Sequence, residues 1–487
     1  MSLKIKGITA MKWSSMGTLF SIVIQVTQLI TISRMLKPSD YGLIGMIMVV
    51  IGFAATLGDM GISNAIIHRQ QVTKNQLSSL YIVNLVTSAF VCTLVWFSAP
   101  YVALFYQEPQ LIDLMHWMCW ICLIPAFGQQ SQVLFQKELK FKQIAKIDII
   151  SYLIGFLVVF FGAYYGYGVY ALVWSYLANA AFKSICLTVL GWRIWRPKLH
   201  FAWADLKGFI RYGMYQLGAS SLQMLISNFD YLIIGRLLGA EKLGYYTFAF
   251  QLCVMPFQKI FPLISQVSLP IFAKIQDQLG LLRKSYLQLI GMVSYVNAPI
   301  YFGLIVVAPY LVPFLFGEKW GPSIPLIQVL AAMVFIRTIV MPMQPLLQAK
   351  GRADIVFKFT VISMLLQLPA LTAGAMIGGI KGVTVAYLSV QVLIFFVHYL
   401  YTVRSVLGPC FWQYVGNLAP SIGCSLLMCL GVLGINYLFD LISIPQEQQY
   451  HLAIQVVGGV LLYGGIIYFF NRQVLQSIKK IAINKGN

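Results

Sequence analysis

An all-α polytopic membrane protein of about 14 transmembrane helices is expected, and three observations point to it. Of the 487 residues, 59% are hydrophobic and only 10% are charged, whereas a soluble domain is about half apolar and about a quarter charged. The chain contains fourteen apolar stretches long enough to cross a bilayer core, a crossing that takes about 20 helical residues. The Lys and Arg side chains also fall mostly to one side of those stretches. This composition excludes a soluble enzyme, a disordered tail, a fibre and a disulfide scaffold.

The stretches run over residues 14–36, 41–66, 77–105, 111–135, 147–165, 168–192, 209–237, 242–272, 284–309, 323–349, 355–378, 382–407, 414–439 and 450–471. Helices fit them better than barrel strands. Ile44 to Ala55 and Val456 to Phe470 are almost continuously apolar and lack the period-two alternation of membrane strands. Lys4, Lys6 and Lys12 precede an apolar run with no small-residue cleavage pattern before Arg34, which reads as an uncleaved first span. The connections are mostly short, the longest polar one lying near Arg193 to Lys207.

Charge sets the orientation. With the N-terminus placed inside, 25 of the 34 Lys and Arg fall on the cytoplasmic side, 6 outside and three within spans. Cytoplasmic loops carry such an excess, so both termini are expected in the cytoplasm. The formal net charge of +20 then records orientation and gives no support to nucleic-acid binding.

The two halves share a weak repeat. Thr31-Ile-Ser-Arg-Met-Leu-Lys-Pro-Ser-Asp-Tyr-Gly42 matches Ile233-Ile-Gly-Arg-Leu-Leu-Gly-Ala-Glu-Lys-Leu-Gly244 at an offset of 202 residues. Arg34 aligns with Arg236 and Gly42 with Gly244. Six spans separate the two copies, so the repeats run parallel, as in transporters that hold substrate between two halves and rock them. The expected organisation is an N-terminal lobe over 1–205, a second six-helix lobe over 206–408, and two additional helices in 409–487.

Ionisable groups at bilayer depth cost at least about 2.5 kcal/mol on insertion scales and mark wet cavities or partners. Lys183, Lys259 and Arg337 sit near the middle of the sixth, eighth and tenth spans. Together they suggest an anion site, with Arg as a planar fork and Lys as a point charge. Local ion pairing with Asp59, Asp148 and Asp230 is the competing explanation. Arg34 and Arg236, near outer helix ends, either complement the helix dipole or rim the exit. Asp59, between Gly58 and Gly61, and Asp230 could each bind a coupling H⁺ or Na⁺, or satisfy local backbone. Gln129 and Gln130 either join helices or line a path for sugar hydroxyls. His116 and His398 read as polar spots on helices. Pro256, Pro262 and Pro270 in the eighth span, with Pro325, Pro342 and Pro345 in the tenth, mark these two as bending elements.

Cys119 and Cys122 have redox or metal spacing but lie inside a helix without a second ligand pair, so packing is the better reading. No nucleotide, zinc-protease or dinucleotide fingerprint occurs. No catalysis, cofactor or metal is expected.

Five segments carry a resemblance. They are Leu57-Gly-Asp-Met-Gly-Ile-Ser-Asn-Ala-Ile-Ile-His-Arg69, Gly128-Gln-Gln130, Gln136-Lys-Glu-Leu-Lys-Phe141, Phe272-Ala-Lys-Ile-Gln-Asp277 and Phe316-Gly-Glu-Lys-Trp320. In this order the chain resembles the bacterial polysaccharide exporters of the multidrug/oligosaccharidyl-lipid/polysaccharide superfamily, closest to Wzx flippases of the colanic-acid-exporter type. The resemblance implies a MATE/MurJ-like fold and movement of undecaprenyl-pyrophosphate-linked oligosaccharide (a polyprenyl pyrophosphate) across the inner membrane for exopolysaccharide, O-antigen or capsule synthesis. It further implies an ion gradient, H⁺ or Na⁺, as the drive, with a polymerase and glycosyltransferases as partners. The competing functions are a cation-coupled multidrug exporter of the same superfamily and a membrane scaffold for glycan-assembly enzymes. Mid-depth cations disfavour the first, and short cytoplasmic loops disfavour the second.

Overall fold

The computed structural model describes residues 3–59, 61, 63, 66, 72–138, 140–198, 200–206, 209–442 and 448–470. Among these residues all regular structure is helical. Among the described residues twelve helical segments are long and apolar enough to cross a membrane, and the chain is a multi-pass membrane protein. Two of the segments contain sharp turns. Gly239 (φ 81°, ψ 176°) interrupts Phe229–Ile275, and Gly379 (φ 56°, ψ −141°) interrupts Ala353–His398. Both turns use a left-handed φ that glycine adopts without a Cβ penalty. Dividing the segments there, and joining Phe209–Ser227 to the residues before Gly239, recovers a count close to the fourteen expected crossings.

By contact the chain forms two compact units, Met1–Thr247 and Phe248–Asn487. The division falls within Phe229–Ile275, whereas the repeat boundary was placed near residue 205. The two criteria differ: a repeat records which helices are equivalent, and a contact unit records which helices touch.

The first unit is built from close helix pairs. Val169–Gly191 packs against both Phe141–Tyr164 and Trp120–Lys137, and Phe141–Tyr164 also packs against Leu3–Met35. Small residues make these approaches possible. At Gly128 a Cβ would lie 2.9 Å from the backbone of Ser184, and the Ser184 hydroxyl donates to the Ile124 carbonyl at 2.6 Å. The Ser175 hydroxyl likewise donates to the Gly155 carbonyl at 2.8 Å. In a bilayer the solvent offers no hydrophobic drive for helices to associate, so packing and hydrogen bonds of this kind carry the association. Lys74–Tyr106 begins with a capping box, in which the Thr73 hydroxyl accepts from the Gln76 N–H and the Gln76 side chain accepts from the Thr73 N–H. The box satisfies two of the helix's orphan donors.

The second unit is organised around Leu279–Phe316, which packs against Ile324–Val340 and Phe411–Ile442. The last helix, Gln448–Phe470, packs against both Phe411–Ile442 and Leu279–Phe316. Ser294 and Ser421 share a hydrogen bond, and the Tyr463 hydroxyl donates to the Tyr295 carbonyl at 2.7 Å. The two additional helices are therefore integral to this unit. The Phe316-Gly-Glu-Lys-Trp320 segment turns at Gly317 (φ 96°). It buries Trp320 completely, stacked on Phe248 at 4.2 Å between centroids. Part of the family resemblance is thus a structural anchor. The Arg283 guanidinium donates to the Leu407 carbonyl from Nε at 2.8 Å and also from Nη2, satisfying an orphan carbonyl at a helix end.

Candidate functional site

The repeat segments meet in space. A Cβ on Gly42 would lie 1.8 Å from the Ala240 carbonyl oxygen, and one on Gly244 would lie 1.7 Å from the Pro38 carbonyl oxygen. Pro38 and Ala240 differ by the repeat offset of 202, as do Gly42 and Gly244. The contact is therefore reciprocal, each repeat placing its glycine on the partner repeat's carbonyl. Gly45 and Thr247, also one offset apart, face each other directly, a Cβ on Gly45 lying 2.8 Å from the Thr247 hydroxyl oxygen. Only glycine permits this backbone approach, which explains why these positions survive in an otherwise weak repeat.

Arg34 and Arg236 flank this crossing, and both are exposed. The Arg236 guanidinium lies over the Phe105 ring at 5.7 Å, within cation–π range. Asp230 is 2% exposed. Its Oδ2 accepts from the Tyr246 hydroxyl at 2.5 Å and its Oδ1 from the Tyr231 N–H at 3.0 Å. Tyr246, fully buried, lies sixteen residues on in the same helical segment, beyond the Gly239 turn, and sequence spacing gave no sign of the pairing. The side chain of Asp59 lies outside the described residues.

The three mid-span cations divide. Lys183 Nζ lies 2.8 Å from Asp148 Oδ1, with the two side chains 31% and 29% exposed. This is the local pairing that competed with an anion site at Lys183. Lys259 and Arg337 are half-buried, and neither has a carboxylate within 4.0 Å among the described residues. The Arg337 guanidinium lies 6.0 Å from the centroid of the Phe257 ring, and Phe257 stacks on Phe261 at 5.4 Å. Phe257 lies two residues before Lys259, so Arg337 lies against the helix that carries Lys259. An aromatic face attracts a cation without neutralising it, so the positive charge remains available to an anion.

The expected bends are half present. Pro342 separates Ile324–Val340 from Met343–Ala349. Without an N–H it frees the Thr338 carbonyl, one residue after Arg337. Pro256, Pro262 and Pro270 are accommodated in continuous helix, the only non-helical residue in that segment being Gly239.

The glutamines join helices. Gln129 accepts from Asn84 at 3.4 Å and donates to the Ser63 hydroxyl at 3.0 Å, while Gln130 donates to the Leu77 carbonyl at 2.9 Å. His116 stacks on Trp96 at 4.0 Å. His398 is buried against Phe359, immediately before the π-helical turn Tyr399–Val403. One polar cluster escaped the sequence reading. Ser79 donates to Asp205 Oδ2 at 2.8 Å, and His200 Nε2 lies 3.0 Å from the same oxygen. The members come from positions more than 120 residues apart, so only the fold brings them together.

Known proteins agree with this architecture. The solved structure of the lipid II flippase MurJ in an inward closed conformation matches with a TM-score of 0.73 at 13% identity, over 95% of this chain and 99% of that one. That likeness establishes the fold. The lipopolysaccharide biosynthesis protein WzxC of Escherichia coli (strain K12) is 34% identical over 418 residues, 86% of this chain and 85% of its own length. The teichuronic acid biosynthesis protein TuaB of Bacillus subtilis (strain 168) is 30% identical over 465 residues, 93% of each chain. Residues 31–325 match the family described as "Polysaccharide biosynthesis protein", and the chain belongs to that family.

Proposed function

We propose that this protein is a flippase that moves polyprenyl-pyrophosphate-linked oligosaccharides between the leaflets of the bacterial inner membrane for surface polysaccharide synthesis. The observation that carries the proposal is the pair Lys259 and Arg337, two half-buried cations without a carboxylate partner among the described residues, in a member of this family. A pyrophosphate is the ligand such a pair fits, because Arg supplies a planar fork and Lys a compact charge. The head group enters from the cytoplasmic face, the cations offset its dehydration, and its exposure then alternates to the outer face. The polyprenyl tail stays in lipid. Arg34 and Arg236 serve as outer contacts along the route, while Gln129 and Gln130 hold helices together. Lys183 exchanges Asp148 for substrate only if that pair opens during transport. Asp230 and Asp59 are the carboxylates assigned to a coupling H⁺ or Na⁺. A polymerase and glycosyltransferases are the expected partners, and both termini are cytoplasmic.

The test is reconstitution in vesicles with fluorescent undecaprenyl-pyrophosphate-linked oligosaccharide, scored by accessibility to an external reagent. Protein-dependent translocation is expected, stimulated by one ion gradient. Absence of translocation under every H⁺ and Na⁺ gradient would sink the proposal. Reporter fusions at Lys74 (inside) and Lys319 (outside) check the orientation.

A further inference from the structure

The segment that follows the Val169–Gly191 helix has an unusual surface. Trp192, Phe201 and Trp203 are 49%, 45% and 74% exposed. Arg193, Arg196 and Lys198 are exposed between them, and none has a carboxylate within 4.0 Å among the described residues. The one acid of the segment, Asp205, is occupied by Ser79 and His200. Three exposed aromatics, of which Phe201 and Trp203 touch at 5.3 Å between ring centroids, and three uncompensated cations therefore lie close together in one stretch of chain.

This surface is held in place. Trp195 and Leu206 are buried in a cluster with Leu77, Leu80 and Val133. Tyr81 packs edge-on to the Trp195 ring at 5.7 Å. The Lys198 N–H donates to the Ser78 hydroxyl at 3.3 Å, and the Ala202 N–H donates to the Ser79 hydroxyl at 3.2 Å. These bonds pin the backbone to the start of Lys74–Tyr106. Trp195 turns inward, while Trp192 and Trp203 stay exposed on the clamped segment. An aromatic ring projected into bulk water is unfavourable, whereas indole and its polar N–H suit the headgroup layer of a bilayer.

We propose that residues 192–198 and 200–206 form a docking surface for anionic phospholipid headgroups, with the aromatics seated in the interface and Arg193, Arg196 and Lys198 on lipid phosphates. Charge complementarity favours this occupant, since an acidic leaflet attracts a juxtamembrane basic segment. The assignment to the cytoplasmic leaflet rests on the orientation proposed above. The lipid contact itself does not, because it is measured where both faces are accessible.

The experiment uses the full-length protein in nanodiscs of phosphatidylcholine alone and of phosphatidylcholine with one-quarter phosphatidylglycerol. Amide hydrogen exchange of the segment and the number of phosphatidylglycerol molecules retained in native mass spectra are read together. Anionic discs should slow exchange across 192–206 by about fivefold, the factor corresponding to one basic contact with an acidic surface. The triple variant Arg193→Gln/Arg196→Gln/Lys198→Gln should lose that difference while exchange in Lys74–Tyr106 stays unchanged, which shows that the clamp persists. Trp203→Ser should raise exchange in both lipid compositions. Equal exchange in the two compositions for the unmodified protein would overturn the proposal. So would protection by undecaprenyl pyrophosphate in neutral discs with none from phosphatidylglycerol, which would place the segment on the substrate route. Neither readout requires translocation, so failure of the flippase reading is recognised separately.

Discussion

Lys183 in the first unit and the pair Lys259 and Arg337 in the second pose the same problem and solve it differently. Each places a cation well inside an apolar span. At Lys183 the charge is met by Asp148 on the neighbouring helix at 2.8 Å. At Arg337 it is met by the Phe257 ring at 6.0 Å, and at Lys259 by no carboxylate among the described residues. A paired cation lowers the energy of the helix contact that holds it. An uncompensated one raises the energy of the resting protein by about 2.5 kcal/mol or more on insertion scales, a cost that an anionic ligand offsets when it binds. Similar depth in the sequence therefore conceals different surroundings, one cation paired with a carboxylate and two without one among the described residues.

The largest expected effect breaks the second member of this comparison. Arg337→Ala should reduce vesicle translocation about 10- to 100-fold, consistent with losing a charged hydrogen bond of about 1.5–3 kcal/mol, with membrane level unchanged. Arg337→Lys should fall between, because it keeps charge and loses the fork. Full translocation by the alanine variant would remove Arg337 from the substrate route. Lys259→Ala is expected to cost about tenfold on the same scale, and Lys259→Arg to restore most of it. Next comes the paired member. Asp148→Ala leaves Lys183 uncompensated and should lower the amount of folded protein in the membrane severalfold. Lys183→Met/Asp148→Leu should recover that amount, as paired replacements by apolar residues often do. If the double variant is stable but cannot translocate, Lys183 belongs with the recognition group. The smallest effect is expected at Gln130→Leu, which removes an interhelical bond worth about 0.6 kcal/mol. Thermal stability should fall slightly while translocation per folded molecule stays constant.

Much of the architecture was readable in advance. Apolar length located the spans, because a bilayer tolerates little else, and the glycines at 239 and 379 divide the two longest helices where spans were expected to end. The repeat was legible as well, through Arg34 with Arg236 and Gly42 with Gly244. The pairing of polar groups was not. Tyr246 lies sixteen residues from Asp230, and Asp205 meets Ser79 across more than 120 residues. Hydrogen-bond partners at such separations depend on helix rotation, which hydropathy does not record. The prolines taught a related lesson: Pro342 breaks its helix, while Pro256, Pro262 and Pro270 are absorbed into theirs. A proline removes one backbone bond wherever it occurs, but neighbouring helices decide whether the helix bends.

The sequence by itself determined that this chain crosses a membrane many times, that its Lys and Arg gather to one side of the apolar stretches, and that its halves share a repeat. Those properties follow from transfer free energy and charge, which add up along the chain. Only the tertiary structure decided that Gly42 and Gly244 exchange carbonyl contacts, that the Gln129 and Gln130 amides tie helices together, and that Lys183 is paired with Asp148 while Lys259 and Arg337 have no carboxylate within reach among the described residues. Those outcomes depend on distances of a few ångströms between helices far apart in sequence, where the sign of a neighbour's charge matters more than the depth of the residue.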